Sequence, residues 1–270
     1  MEIKTPKWNI HTHTARCGHA VGEDEEYVLS AIDLGIEYLG FSDHVFIPGR
    51  SDPRIRGDYS ELEGYIASIR ALEQKYAGRV SIKLGFEAEW MDEYADYYSD
   101  LLHSKKIDYL IQGQHCRIIN DRFFGYGYIK DDNQALELYC QDVIKGMRSG
   151  LFTYLCHPDL FVSFLGKWNE KCEEITHRIC KAAFETKTPL EFNLGASRSG
   201  RNNLPWATIH YVYPFPKFWI IAKTYGIPVV LGIDAHSPRD FQDSNYAWAY
   251  SFIQGLNLDY VDSIPLRTID

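Results

Sequence analysis

No stretch of this 270-residue chain approaches the roughly 20 consecutive apolar residues that a membrane span needs. The opening residues Met1 to Pro6 lack the apolar core and small-residue cleavage site of a secretory signal. These absences predict a soluble, cytoplasmic protein with no membrane partner. Cysteine is sparse: six residues, at positions 17, 116, 140, 156, 172 and 180, follow no CxxC or finger spacing. Reduced thiols on buried strand or helix faces are expected, and disulfides are not. Positive charge is also in deficit, with 28 Lys and Arg against 37 Asp and Glu and a formal net charge of -9. That balance disfavours nucleic acid, which is held by cations that displace its counterions, and favours a small-molecule substrate. Linkers and low-complexity tracts are missing too, so residues 1–270 are expected to form one domain, with a hydrophobic content of 45% to fill its core.

What is present is an alternation. Seven short runs rich in apolar and β-branched residues predict strands at Trp8 to His11, Tyr38 to Ser42, Val80 to Glu87, Tyr109 to Gln114, Thr153 to Cys156, Pro189 to Asn193 and Pro228 to Ile233. Helical patterns lie between and after them, at Asp24 to Leu34, Leu62 to Tyr76, Glu93 to His103, Asn133 to Arg148, Asn169 to Thr186, Pro216 to Tyr225 and Asp240 to Leu256. Leu62, Tyr65, Ile66, Ile69, Leu72 and Tyr76, for example, recur at spacings of three and four and mark one apolar face. Seven strand–helix units call for parallel strands with helical crossovers.

Polar residues choose between an open sheet and a closed barrel. His11, His13, His19, His44, Glu87, His115, His157, Asp234 and His236 fall at or just after the ends of these strands. A closed barrel gathers all its C-terminal strand ends around one mouth, whereas an open sheet uses mainly the crevice at its switch point. Six of the seven ends carry a metal-type ligand, and the seventh carries the polar pair of Glu191-Phe192-Asn193. Closure is therefore expected. His11-Thr12-His13 and Asp234-Ala235-His236 each place two ligands two residues apart, on one side of an extended chain. Buried against apolar walls, such groups are costly unless a cation takes up the charge or lone pair, so the pattern points to a multinuclear metal hydrolase. Glu89, two residues beyond Glu87, competes with it for the same role.

The motifs His11 to His19 (HTHTARCGH), Gly40-Phe41-Ser42-Asp43-His44, Gly85-Phe86-Glu87, Gln114-His115, Cys156-His157 and Gly232 to His236 resemble those of the polymerase and histidinol phosphatase (PHP) family. Within it the resemblance is closest to the monofunctional bacterial histidinol-phosphate phosphatases, through the opening motif, the length, and Glu191-Phe192-Asn193 followed by Arg198. It implies an α/β fold of the distorted (β/α)7 barrel type. It also implies a phosphomonoesterase acting on L-histidinol phosphate in histidine biosynthesis. The implied cofactors are three divalent ions: one held by His11, His13, Glu87 and Asp234, a second by the bridging Glu87 with His115 and His157, and a third by His19, His44 and His236. Imidazole with carboxylate suits zinc, manganese and iron alike. Asn9 departs from the aspartate found before the HxH pair in many relatives, which alters only hydrogen bonding around the ligands.

In such a centre Glu87 and Asp234 carry the catalytic metals, and arginine is the natural supplement for a charged phosphoryl group. Arg117 and Arg198 are the candidate clamps, with Asn193 beside them as a substrate-binding candidate. Asp43 either relays the leaving-group proton or orients a ligand, the second being preferred. Trp90, Phe46, Tyr126 and Tyr128 follow strand ends, where an imidazole-bearing substrate could stack. His103, His177 and His210 read as structural or solvated. The alternatives are another PHP phosphoesterase, a nucleotide phosphatase or exonuclease, which the negative charge disfavours, and a non-catalytic metal-binding barrel, which the intact ligand set disfavours.

Overall fold

The structure, a computed structural model, describes residues 4–165, 167–198, 213–243 and 245–269. Its strands are β1 (Trp8–Asn9), β2 (Tyr38–His44), β3 (Ser81–Ala88), β4 (Tyr109–Gln112), β5 (Cys116–Ile119), β6 (Arg122–Gly125), β7 (Leu190–Asn193) and β8 (Val229–Gly232). The helices are α1 (Asp24–Leu34), α2 (Leu62–Lys75), α3 (Ala95–His103), α4 (Asp132–Ser149), α5 (Val162–Leu165), α6 (Glu170–Thr186), α7 (Gly195–Arg198), α8 (Pro216–Ala222) and α9 (Tyr246–Leu256). Helix α1 begins in a capping box between Glu23 and Glu26 and stops at Gly35, whose φ of 88° is left-handed. Both ends follow from residue type, since glycine enters that region without a Cβ penalty.

Strands β1 to β4 form a parallel sheet in chain order, and β7 pairs with β8 in parallel. Single parallel bridges, Gln112↔Leu155, Leu155↔Leu190 and Thr12↔Ala235, link the two groups, so the sheet curls. The expected strand at Thr153–Cys156 is reduced to the bridge at Leu155. Its backbone still hydrogen-bonds on both sides, Thr153 N to Leu110 O and Leu155 N to Pro189 O. The first strand ends two residues early because the Asn9 side chain takes over: its Oδ1 accepts from Ile233 N at 2.9 Å and its Nδ2 donates to Thr12 Oγ1 at 2.9 Å.

Both faces of the sheet are buried, as parallel strands require. Leu39, Phe41, Leu84, Phe86 and Leu110 pack in the large core with helical residues such as Tyr65 and Ile69. The opposite parity of β4, Tyr109 and Ile111, joins Ile10, Tyr154 and Val230 in a second cluster inside the curl. All six cysteines are buried and unpaired.

A hairpin, β5–β6, was not expected. It is antiparallel and turns at Asn120 and Asp121, whose φ values of 50° and 61° suit a two-residue loop between apolar runs.

Helix α4 approaches β4 closely at Gly146, where an added Cβ would collide with the Gln112 side chain, and Gln112 Nε2 is bonded to Val143 O at 3.3 Å. Gly146→Ala should therefore destabilise the protein by about 1–3 kcal/mol through overpacking. Urea unfolding would measure it, and an unchanged midpoint would show that the helix simply moves away.

Candidate metal centre

The strand ends deliver their side chains to one place. Register pairs His44 at the end of β2 with Glu87 near the end of β3. The carbonyl of Ala235 accepts from His13 N, which brings the two ligand pairs at the ends of the chain together. His157 and Asp234 have φ values of 26° and 52°. Left-handed backbone at non-glycine residues is costly and tends to persist where surrounding structure aims a side chain.

Glu87 lies at the centre of the cluster. Its Oε1 is 2.8 Å from His157 Nε2 and 3.4 Å from His115 Nε2, while its Oε2 is 3.1 Å from His44 Nδ1, 3.5 Å from His13 Nε2 and 3.7 Å from His11 Nε2. Asp234 Oδ1 lies 3.4, 3.3 and 3.4 Å from His11 Nε2, His13 Nε2 and His236 Nδ1. The Nε2 atoms of His19 and His236 approach to 3.1 Å. Candidate donor atoms of His11, His13 and Asp234, of His13, His44 and Glu87, and of His19, His44 and His236 each lie within 4.8 Å of one another.

Burial opposes the ionisation of Glu87, but the imidazoles of His115, His44 and His11 outweigh it and hold the carboxyl well below its usual range. Burial and the neighbouring His13 push His236 down to about 3, which favours the neutral imidazole. Burial lowers His19 and His44 as well, whereas at His11, His13 and His115 the neighbouring carboxylates outweigh burial and raise the imidazoles. His11 Nε2, both nitrogens of His13, His44 Nδ1, His157 Nδ1 and Asp234 Oδ1 are buried without a hydrogen-bond partner among the described residues. Orphaned polar atoms of this kind are rare in folded proteins and need an occupant. Imidazoles packed on ionised carboxylates, with unsatisfied donor atoms between them, fit divalent cations, whose charge would take the place of the imidazole protons.

Behind these candidate ligands stands a layer of side chains that orients them. Glu191 Oε1 lies 2.8 Å from His11 Nδ1, and Asn193 Nδ2 donates to Glu191 Oε2 at 2.7 Å. Glu89 faces His115 Nδ1 at 3.2 Å and is gripped by Arg56, whose two Nη atoms lie 2.9 and 3.2 Å from its oxygens. Asp43 accepts from Thr14 Oγ1 and from His44 N, with His13 Nδ1 at 3.6 Å. Glu87 thus faces the cluster of imidazoles, whereas Glu89 faces His115 alone, from behind. The Arg56–Glu89 pair and the contact from Glu191 to His11 had no signal in the sequence beyond the polar residues at the sixth strand end.

A cavity of about 660 Å³ opens over the cluster, lined among others by His19, His44, Arg54, Tyr213, Asp234 and His236. Arg198 borders it with its donors engaged: Nη1 to Asp243 Oδ2 at 2.9 Å, and Nη2 to the carbonyls of Ile233 and Asp234 at 2.5 and 2.6 Å. Arg117 does not line the cavity, for β5 turns it toward Asp142, 3.7 Å from its Nε. Asn193 is also held away, buried with its amide spent on Glu191 and on Gly195 N. The four candidate stacking residues are elsewhere. Phe46 is in the core against Tyr65 and Phe86, Tyr126 is buried with its hydroxyl on Asp142, Trp90 donates to Asp92, and Tyr128 is exposed. His103 and His177 lie on helices with Ser99 and Tyr225 as partners, and His210 lies outside the described residues.

A parallel α/β sheet whose strand ends converge on a cluster of imidazoles and carboxylates defines a metal-site protein of the hydrolase type. The model of the PHP domain family matches residues 9–194, and the chain belongs to that family. It is 32% identical over 234 residues to a Deinococcus radiodurans protein named "Probable histidinol-phosphatase", covering 85% of this chain and 86% of that one. It is 24% identical to the histidinol-phosphatase of Bacillus subtilis, over 85% of this chain and 93% of the other. The fold is shared with the histidinol phosphate phosphatase of Lactococcus lactis subsp. lactis, whose crystal structure holds zinc, L-histidinol and phosphate. The TM-score is 0.69 at 18% identity, with 96% of each chain covered. No helix among the described residues is long and apolar enough to cross a membrane.

Proposed function

We propose that this protein is a metal-dependent phosphomonoesterase that hydrolyses L-histidinol phosphate to L-histidinol and phosphate. The observation that carries the reading is the position of Glu87: a buried carboxylate with one oxygen toward His115 and His157 and the other toward His11, His13 and His44. That arrangement suits a bridge between two cations. His11, His13, Glu87 and Asp234 would hold one divalent ion, Glu87 with His115 and His157 a second, and His19, His44 and His236 a third. Ions bound there would lower the pKa of water and offset phosphoryl charge. The names of the relatives at 32% and 24% identity support the choice of substrate.

The chain's own residues set the geometry. Glu191 and Glu89 engage the far nitrogens of His11 and His115, and Asp43 faces that of His13 at 3.6 Å, leaving Nε2 of each toward the cluster. Asp43 is buried behind His13 and is not on the cavity wall, so its part in catalysis is to position that imidazole. Arg198 grips the carbonyls beside Asp234 and steadies it. The domain spans residues 1–270 as a (β/α)7 barrel, a reading supported by the single bridges that join β4, Leu155 and β7 and that tie Thr12 to Ala235.

The test is a panel of phosphomonoesters offered to the metal-reconstituted protein, with histidinol phosphate, nucleotides and a short oligonucleotide among them. The highest kcat/KM is expected for histidinol phosphate. A preference for a nucleotide, or no turnover of any ester, would overturn the proposal.

A further inference from the structure

We infer that Arg54 is the side chain that receives the substrate's phosphate group, an assignment that rests on the phosphatase reading above. Among the described residues, Arg54 is the arginine at the cavity that still has donors to offer. Arg198 has spent both Nη atoms on Asp243 and on two backbone carbonyls. Arg16 is committed to Asp24 and Thr14, Arg56 is buried on Glu89, and Arg117 faces Asp142. Arg54 lines the same cavity as His19, His44 and His236. Its one partner among the described residues is Asp52, 3.4 Å from Nε, and its side chain is 87% exposed. Both Nη atoms remain available as a planar fork, the geometry that matches two phosphate oxygens.

The loop that carries Arg54 is fixed at its base. Ile55 N and Arg56 N both donate to Asp52 O at 2.9 Å, closing a tight turn. Arg56 then plunges inward to Glu89 and to Val45 O at 3.0 Å. On the other side, Pro53 packs on Gly18 so closely that any Cβ there would collide with the Pro53 carbonyl, while the Arg54 Cα lies 3.8 Å from that Cβ position. Gly18 precedes His19, so the backbone of Arg54 is locked against the turn that supplies one of the cavity imidazoles. A side chain anchored this firmly at its Cα but unpaired at its tip loses little beyond rotamer entropy when it closes on a ligand.

Charge points the same way. Apart from its imidazoles, the cavity wall offers the carboxylates of Glu87, Asp234 and Asp240, against the engaged Arg198 and the free Arg54. A phosphomonoester brings further negative charge, and any of it not met by bound cations falls to Arg54.

The experiment compares wild type, Arg54→Ala and Arg54→Lys, each reconstituted with metal. Calorimetry reads equilibrium binding of inorganic phosphate, and kinetics read hydrolysis of the best ester found for the wild type. Arg54→Ala should weaken phosphate binding and raise KM on the order of tenfold, the loss of a charge-assisted contact made already in the ground state, with kcat within about twofold and metal content unchanged. Arg54→Lys should recover part of the loss. Equal phosphate affinity and equal KM in Arg54→Ala would overturn the assignment, and so would a fall in metal content, which would make Arg54 a support of the ligands instead. A wild-type protein that hydrolyses no phosphomonoester would instead bring down the functional reading itself.

Discussion

Glu87→Ala should abolish phosphomonoester turnover in a protein that still folds. Glu87 is the carboxylate whose two oxygens face two different sets of imidazoles, so its loss would remove the proposed bridge between two metal positions. The fall in kcat should exceed about 100-fold, the upper end for losing a residue that merely supports a ligand. Metal retained after dialysis should drop with it. Circular dichroism should stay at the wild-type level, because the side chain sits at the mouth and its polar partners among the described residues are the imidazoles of the cluster. A Glu87→Ala protein with near wild-type kcat, alongside an inactive but folded Glu89→Ala, would mean that the catalytic carboxylate has been misassigned.

Arg56→Met should have the largest effect on stability. Arg56 and Glu89 are both essentially without solvent exposure and meet through two contacts of 2.9 and 3.2 Å. Removing the cation strands a buried carboxylate, which costs about 3–5 kcal/mol. The same pairing sets a pH signature. Burial opposes ionisation of Glu89, yet the guanidinium of Arg56 and the imidazole of His115 hold its pKa far below the usual carboxylate range. A group with a depressed folded-state pKa stabilises the fold above its unfolded value and loses that contribution as pH falls toward the folded one. The gap between wild type and Arg56→Met should therefore be full above about pH 4.3, the ordinary glutamate value, and narrow on further acidification. Thermal unfolding across pH 3–7 measures it. A variant that melts with the wild type at neutral pH would show that the pair contributes nothing net.

These two variants also mark where the sequence stopped being informative. Glu87 and Glu89 are two residues apart and share a parity, so strand alternation puts both on one side and cannot rank them. The structure separates them because β3 ends at Ala88, and Glu89 leaves the ladder to meet Arg56. Arg56 itself lies in a loop without periodicity, and its partner is 33 residues away, a pairing made only by tertiary packing. Glu191 and His11 are separated by 180 residues and were invisible as a pair for the same reason. Arg117 misled because closeness to His115 in sequence is not closeness in space once the chain reverses into β5 and β6. That reversal was legible: Asn120-Asp121 between Ile118-Ile119 and Phe123-Phe124 is the pattern of a two-residue hairpin turn. What the sequence carried well were the apolar runs and the residues that end them. A strand buried on both faces must be apolar along its length, so the first polar residue after it marks where the chain reaches the rim. His44, Glu87, His115, His157 and Asp234 were singled out on that signal, and the structure brings them to one cavity.

The link between Asn9 and Ile233, 224 residues apart, has a consequence for the life of the chain before it is finished. At the ordinary pace of a ribosome, His11 and His13 emerge on the order of 10 s or more before Asp234 is made. During that interval the nascent protein carries imidazoles and free thiols without the Asp234 carboxylate that faces His11 and His13 in the folded chain, a half-made chelate able to pick up whatever soft ion is at hand. In the proposed centre, loading would wait for Asp234 and His236 to leave the ribosome, and a chain cut short before residue 234 would carry most of the candidate ligands and none of the closure.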